Sequence, residues 1–166
     1  MIDGSLRKIF RVKFAEAHWN SVETGMTGLG IPDSEYCFPP SRTGLEGASG
    51  WVEFKLTHAN KVRISPEQVA WAERRVRVGG RCWMAVRQTA LAGPRRTARD
   101  ALFLYWGTQV RAVLQNGLVE RPWGRWEGGP ARWNWVEIRQ GLTAKGHPWP
   151  VELRKQVSAP IDQTKE

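Results

Sequence analysis

Two carboxylates and one ammonium group are spaced so that they could meet at one divalent cation and one water molecule. Asp33 opens an extended run that continues to Phe38, and Glu53 and Lys55 lie in a second run, Trp51 to Lys55. Side chains alternate between the two faces of a strand, so Glu53 and Lys55 share one face while the apolar residues beside them face the core. Oxygen ligands, a cation and a fixed positive charge together suit the hydrolysis of a phosphate ester.

A Pro/Gly/Ser-rich segment, Pro39 to Gly50, joins the two runs and is predicted to be a loop. If the runs pair as a hairpin, Asp33 comes beside Glu53. Two carboxylates so close repel each other, and one binds a proton at neutral pH unless a cation lies between them. The alternative is a hairpin with solvated acids, in which Lys55 is a cross-strand partner. The apolar neighbours of Glu53 favour a buried strand, where an unpaired acid is costly.

Three segments follow one another in the order shown by a known group of nucleases. They are Gly30-Ile31-Pro32-Asp33, Trp51-Val52-Glu53-Phe54-Lys55 and Ser65-Pro66-Glu67-Gln68. The chain therefore resembles the PD-(D/E)XK nuclease superfamily, and within it the small VRR-NUC-like nucleases of phages and the archaeal Holliday-junction resolvases. The resemblance covers residues 5–118 and is sharpest from Gly30 to Gly80.

This resemblance implies a metal-dependent endonuclease that cuts DNA, with a branched junction or flap as a possible substrate. Asp33, Glu53 and the backbone carbonyl of Phe54 would bind Mg²⁺ or Mn²⁺, and Lys55 would orient or deprotonate the attacking water. Many members carry a further acid upstream. Glu23 is the preferred candidate for that additional metal ligand, and Glu16 is the other.

Gln68 has two interpretations. The resemblance implies that this glutamine approaches the metal-bound water or the phosphate. Ser65 at the N-cap, Pro66 at the first helical position and Gln68 at the third also form a good helix start with a capping box, which needs no active site. Both interpretations remain open from the sequence.

The charge distribution favours a nucleic-acid partner. The formal net charge is +9; residues 1–60 hold six basic and seven acidic residues, whereas residues 61–166 hold nineteen and nine. Such an excess of cations suits the phosphate backbone of DNA, and guanidinium groups bind phosphate oxygens in pairs. The predicted DNA-binding arginines are Arg74, Arg77, Arg81, Arg95, Arg96 and Arg99. For any single one of them, a solvated surface position is the alternative.

Periodicity predicts an α/β fold. The predicted elements are a helix from Ser5 to Phe14, strands at His18 to Glu23, Asp33 to Phe38 and Trp51 to Lys55, a helix from Pro66 to Val78, strands at Arg81 to Arg87 and Ala101 to Trp106, and a helix from Thr108 to Gln115. Glu16 is predicted on the solvated side of the first helix, and Arg99 in a Gly-Pro loop. The resemblance implies a restriction-endonuclease-like mixed β-sheet core, αβββαβ, flanked by helices.

Three regions are predicted along the chain: a nuclease domain at 1–118, a Trp/Arg-rich extension at 119–157 and a disordered tail at 158–166. Trp133 and Trp135 could form a stacking platform for unpaired bases. The alternative is that the tryptophans of the extension pack onto the core or onto a second subunit, because tryptophan is most often buried.

Other functional classes have little support. No apolar run is long enough for a membrane span and no secretory signal is present, so we expect a soluble cytoplasmic protein, in the host cytoplasm if the chain is phage-encoded. Cys37 and Cys82 form no metal or redox motif. A catalytically silent nucleic-acid-binding or packaging accessory and a structural protein are the alternatives. A homodimer would suit symmetric cutting of two strands.

Overall fold

A computed structural model describes residues 4–22, 28–40, 47–91 and 98–144 of the 166-residue chain. Within these residues the elements are α1 (Gly4–Lys13), β1 (His18–Ser21), β2 (Ser34–Phe38), β3 (Ala48–Thr57), α2 (Pro66–Arg77), β4 (Cys82–Ala90), β5 (Arg99–Trp106), α3 (Val110–Asn116), β6 (Gly124–Glu127) and α4 (Trp135–Thr143). Single 3₁₀ turns, Gly107–Gln109 and Gly117–Val119, flank α3.

The fold is mixed α/β, with one six-stranded, mostly antiparallel sheet flanked by helices. The strands lie in the order β1-β2-β3-β4-β5-β6, and only the β3–β4 pair is parallel. A parallel pair needs a crossover connection, and α2 supplies it between β3 and β4. Since β3 and β4 run in the same direction, α2 returns across the sheet between them.

Both faces of the sheet are covered by apolar side chains, as expected for central strands without alternating polarity. On one face Phe10 of α1 packs edge-to-face on Phe54 of β3 with the ring centroids 5.1 Å apart. On the other face Val69 of α2 and Val113 of α3 belong to a cluster with Met84. Because consecutive β3 residues face opposite clusters, Glu53 lies on the α2 side of the sheet.

The described part of the extension, up to residue 144, belongs to the same core as the residues before it. β6 pairs with the edge of β5, and four side chains of this segment lie in the cluster that contains α1: Trp126, Trp133, Ile138 and Leu142. The Tyr36 hydroxyl donates a hydrogen bond to the Leu142 carbonyl at 2.7 Å. The remaining residues of the predicted extension and tail, 145–166, lie outside the described residues.

Several predicted boundaries are wrong. β3 begins at Ala48, inside the predicted loop, because Ala48 to Gly50 pair with the end of β2. Arg99 is the first residue of β5 and pairs with Ala90, so it is not part of a loop. Glu16 follows the end of α1 in a turn, where it forms an ion pair with Arg139 at 3.2 Å.

Among the described helices, none combines the length and the apolar composition needed to cross a bilayer.

Candidate active site

The β2–β3 pairing brings Asp33 and Glu53 together. Ser34 is opposite Val52 in the register, so Asp33, the residue before β2, comes level with Glu53. The Asp33 amide donates to Glu53 Oε2 at 3.1 Å, and the Phe54 amide donates to Asp33 Oδ2 at 3.0 Å. The Glu53 carboxylate is thus held by the backbone of Asp33, and the Asp33 carboxylate is held by the backbone of the residue after Glu53. These two hydrogen bonds give the pair a defined geometry.

Glu53 is buried, with only 6% of its surface exposed. The small cavity that Glu53 lines is mostly apolar, and Cys82 and Met84 also line it. Burial raises the pKa of Glu53, and the nearby charge of Asp33 raises that pKa further. The Lys55 ammonium acts in the opposite direction: its Nζ lies 2.7 Å from Glu53 Oε1. The ionised glutamate is therefore costly here, and a cation would offset that cost.

Gln68 makes the capping contact and a second contact, with Glu53. Its Oε1 accepts a hydrogen bond from the Ser65 amide at 3.0 Å, which completes the capping box of α2. Its Nε2 donates to Glu53 Oε1 at 2.6 Å. One side chain therefore fixes the start of α2 and attaches it to the carboxylate pair.

The loop that precedes Asp33 is held against the start of α2 by Gly30. This glycine has a φ of +84°, which L residues rarely adopt. A Cβ atom at position 30 would lie 2.3 Å from the Glu67 carbonyl oxygen. The glycine of the Gly30-Ile31-Pro32-Asp33 segment therefore permits a close backbone approach that positions Asp33.

The described residues leave carboxylate lone pairs free for a cation. A carboxylate offers about four lone-pair sites. Lys55, Gln68 and the Asp33 amide use three of those on Glu53, and the Phe54 amide uses one on Asp33. When only the contacts between described residues are counted, one lone-pair site on Glu53 Oε2 and three on Asp33 remain unused.

The donor set consists of oxygen atoms, which are the ligands that hard cations prefer. In the described parts of the chain no group of three or more His, Cys, Asp or Glu side chains could hold a metal ion. Mg²⁺ keeps several waters and takes one or two carboxylates from a protein, and Mn²⁺ also suits oxygen ligands. Asp33 and Glu53 meet that requirement, and the Phe54 carbonyl follows directly on the strand.

The predicted additional acid falls outside the described residues. Glu23 belongs to the segment 23–27, which the structure does not describe. Its described neighbour Val22 donates its amide hydrogen to the Asp33 carbonyl at 3.0 Å. The other candidate, Glu16, is paired with Arg139 in a turn after α1 and is not brought to the Asp33–Glu53 pair.

The predicted DNA-binding arginines fall into three groups. Arg74 and Arg77 lie exposed on the last turns of α2, on the side of the sheet that carries Glu53. Arg81 donates to the Ala144 carbonyl at 2.8 Å, so its guanidinium joins β4 to the end of α4. Arg99 donates to Gln88 Oε1 at 3.2 Å. Arg95 and Arg96 lie outside the described residues.

An aromatic contact next to the carboxylates was not predicted. Trp51 of β3 and Trp71 of α2 pack edge-to-face with centroids 5.3 Å apart. Trp51 precedes Glu53 by two residues and Trp71 follows Gln68 by three. Strand and helix spacing therefore place each tryptophan on the same face as its site residue, and this spacing is the signal that could have found them.

No family model, no curated protein and no solved structure matches this chain. A functional conclusion therefore depends on the residues and their geometry.

Proposed function

We propose that this chain is a Mg²⁺- or Mn²⁺-dependent endodeoxyribonuclease of the PD-(D/E)XK class. One observation carries the proposal: a buried Glu53 with a raised pKa is fixed beside Asp33, with Lys55 Nζ at 2.7 Å. A perturbed carboxylate with a specific charged partner is more typical of a functional site than of a solvated surface. The resemblance in motif order supports the same conclusion.

The element order is consistent with a restriction-endonuclease-like core. From α1 to β4 the chain follows the sequence αβββαβ, with an antiparallel β2–β3 pair and a parallel β3–β4 pair. The acid of the first motif precedes β2, the Glu-x-Lys segment lies in β3, and the glutamine opens α2. These positions support the proposed fold family.

Asp33, Glu53 and the Phe54 carbonyl would hold the metal ion. When bound, a divalent cation lowers the pKa of a coordinated water and stabilises negative charge on the phosphate. The backbone amides of Asp33 and Phe54 hold the two carboxylates in place before any ligand arrives. Such preorganisation reduces the cost of assembling the site.

Lys55 and Gln68 would act on the attacking water and the phosphate. The Lys55 side chain is only 15% exposed, so its ammonium is held near the carboxylates and is not free in solvent. It would stabilise negative charge beside the scissile phosphate and orient the water. Gln68 Nε2 holds Glu53 Oε1, which keeps Glu53 Oε2 turned towards Asp33.

DNA is the expected substrate because exposed arginines lie on the helix that begins at this site. The exposed Arg74 and Arg77 of α2 supply positive charge on the same side of the sheet as Glu53. Phosphate contacts of this kind give affinity without sequence preference and weaken as salt increases. A junction or flap is the proposed form of branched substrate.

The test is cleavage of plasmid and four-way-junction DNA by pure protein with Mg²⁺, with Mn²⁺ and with EDTA. We expect cutting only with metal, and loss of cutting in Asp33→Ala, Glu53→Ala and Lys55→Ala. Glu127→Ala is the matched control, because Glu127 is an exposed acid on β6 that pairs with Arg125. Cleavage retained in both carboxylate variants would falsify the assignment. DNA binding without cleavage by the wild type would instead favour a silent accessory protein.

A further inference from the structure

An indole–guanidinium cluster, made of Trp51, Trp71 and Arg75, lies beside the carboxylate pair. The two indole rings pack edge-to-face, and the Arg75 guanidinium carbon lies 5.9 Å from the Trp51 ring centroid and 6.0 Å from that of Trp71. These distances are within the range of a cation–π interaction. The cluster therefore combines aromatic surface with a delocalised positive charge.

Residue spacing places the cluster next to the proposed catalytic groups. Trp51 lies two residues from Glu53 on the same face of β3, which is about 7 Å along a strand. Trp71 is about one helical turn beyond Gln68 on α2. From Gln68, α2 runs back towards the start of β3. Both tryptophans therefore lie on the side of Glu53 that is nearer the start of β3.

This surface is accessible and its charge is not neutralised. Trp51 and Trp71 are partly exposed, and Arg75 is exposed. Among the described residues no carboxylate forms an ion pair with Arg75. An open hollow of about 280 Å³ is lined by Trp71, Arg74, Arg75 and Val78. Its volume is close to the lower end of ligand pockets, about 300 Å³.

Gly80 lets the Arg75 side chain lie across the surface. A Cβ atom at position 80 would come within 2.6 Å of Arg75 Nε and within 2.8 Å of its Cδ. The arginine therefore packs directly on the backbone that follows α2. This contact limits the rotamers of Arg75 and keeps its planar group next to the indole rings.

We propose that the indole–guanidinium cluster binds an unpaired nucleobase of the nucleotide next to the scissile phosphate. Bases stack on tryptophan rings and on arginine planes, and every base has a π-face, so this contact is tolerant of sequence. A base inside a duplex is already stacked and cannot reach the cluster. The inference rests on the proposed nuclease function, and it narrows the substrate to DNA with an unpaired nucleotide at the cut.

The experiment measures binding in EDTA by fluorescence anisotropy, with no cleavage involved. The probes are a labelled single strand and an abasic strand of the same length, which carry the same phosphates and differ only in their bases. We expect wild type to bind the base-containing strand about 5- to 150-fold more tightly. Trp71→Leu and Arg75→Lys are expected to reduce this ratio several-fold. Arg132→Lys, at an exposed position between β6 and α4, is the matched control and should leave the ratio unchanged.

The result separates this inference from the proposed function. Arg75 is exposed, so Arg75→Lys leaves the core intact, and Trp71→Phe should restore part of the ratio lost in Trp71→Leu. A wild-type ratio near one, or an unchanged ratio in Trp71→Leu and Arg75→Lys, overturns the base-stacking site even if the protein cuts DNA. A ratio that falls in these variants supports the site even if no metal gives cleavage.

Discussion

The link between the cap of α2 and the carboxylate pair makes Gln68 the most informative position for a stability measurement. Gln68→Ala removes two hydrogen bonds at once: the one from the Ser65 amide, and the one to Glu53 Oε1. A capping interaction contributes about 1 kcal/mol, and a hydrogen bond to a charged group contributes about 1.5–3 kcal/mol. We expect Gln68→Ala to lower the free energy of unfolding by about 2.5–4 kcal/mol.

Ser65→Ala is the matched control for the capping contribution alone. It removes the hydroxyl that accepts from the Gln68 amide at 3.3 Å and leaves the contact of Gln68 with Glu53 in place. We expect a loss of about 1 kcal/mol. The assay is urea unfolding in EDTA, with both variants compared at a common m-value.

Gln68→Glu is expected to make the stability of the protein depend strongly on metal. Its carboxylate can still accept from the Ser65 amide, but it loses the donor to Glu53 and places a third negative charge at the site. We expect this variant to be the least stable of the three in EDTA, and to recover most with Mn²⁺. Equal losses for Gln68→Ala and Ser65→Ala, within about 0.5 kcal/mol, would show that the contact with Glu53 contributes nothing.

Four further predictions follow from the same geometry. Metal affinity should fall on acidification through the raised pKa of Glu53, and Asp33→Asn should lower that pKa in a carbon-13 NMR titration by removing one of its two causes. In metal-free protein the Glu53 contribution to stability is fully present below its unfolded pKa of about 4.3 and is lost as the pH rises through the raised value; a pH series of urea unfolding checks this sign. Gly30→Ala should cost about 1–2 kcal/mol from its φ of +84° alone, more with the contact at Glu67, and should slow cleavage by displacing the Asp33 loop; a variant that unfolds and cuts like wild type contradicts this. Truncation after residue 118 removes four buried side chains worth about 1.5–3 kcal/mol each, so circular dichroism should show an unfolded chain, and a folded truncated protein would refute the shared core.

The sequence alone predicts the part of the site that depends on local periodicity. Strand alternation places Glu53 and Lys55 on one face, and the hairpin places Asp33 beside Glu53, as the register of β2 and β3 shows. The start of α2 is equally local, because Ser65, Pro66 and Gln68 are consecutive signals of a helix N-terminus.

Tertiary placement accounts for what the sequence does not reveal. Spacing along β3 and along α2 places Trp51 and Trp71 on the faces of their site residues, but the contact between the two rings depends on how α2 crosses β3. Arg81, which is predicted to bind DNA, also donates to the carbonyl of Ala144, 63 residues away. A basic residue cannot be assigned to nucleic acid or to the fold until such long-range partners are known.

The extension was the least predictable part of the fold. β6 is only four residues long and is defined by its pairing with β5, so it has no clear periodicity of its own. α4 does carry a local signal: the Asn134 side chain caps it by accepting from the Glu137 amide.

Binding of Mn²⁺ by the protein without DNA tests the paired carboxylates most directly. Free Mn²⁺ is measured by electron paramagnetic resonance as the ion is added to wild type, Asp33→Asn, Glu53→Gln and the Glu127→Gln control. We predict a Mn²⁺ site in wild type and in the control, and its loss in both site variants while their thermal unfolding stays cooperative. Equal Mn²⁺ binding by wild type and Asp33→Asn, or no binding by wild type, would contradict a metal site between Asp33 and Glu53.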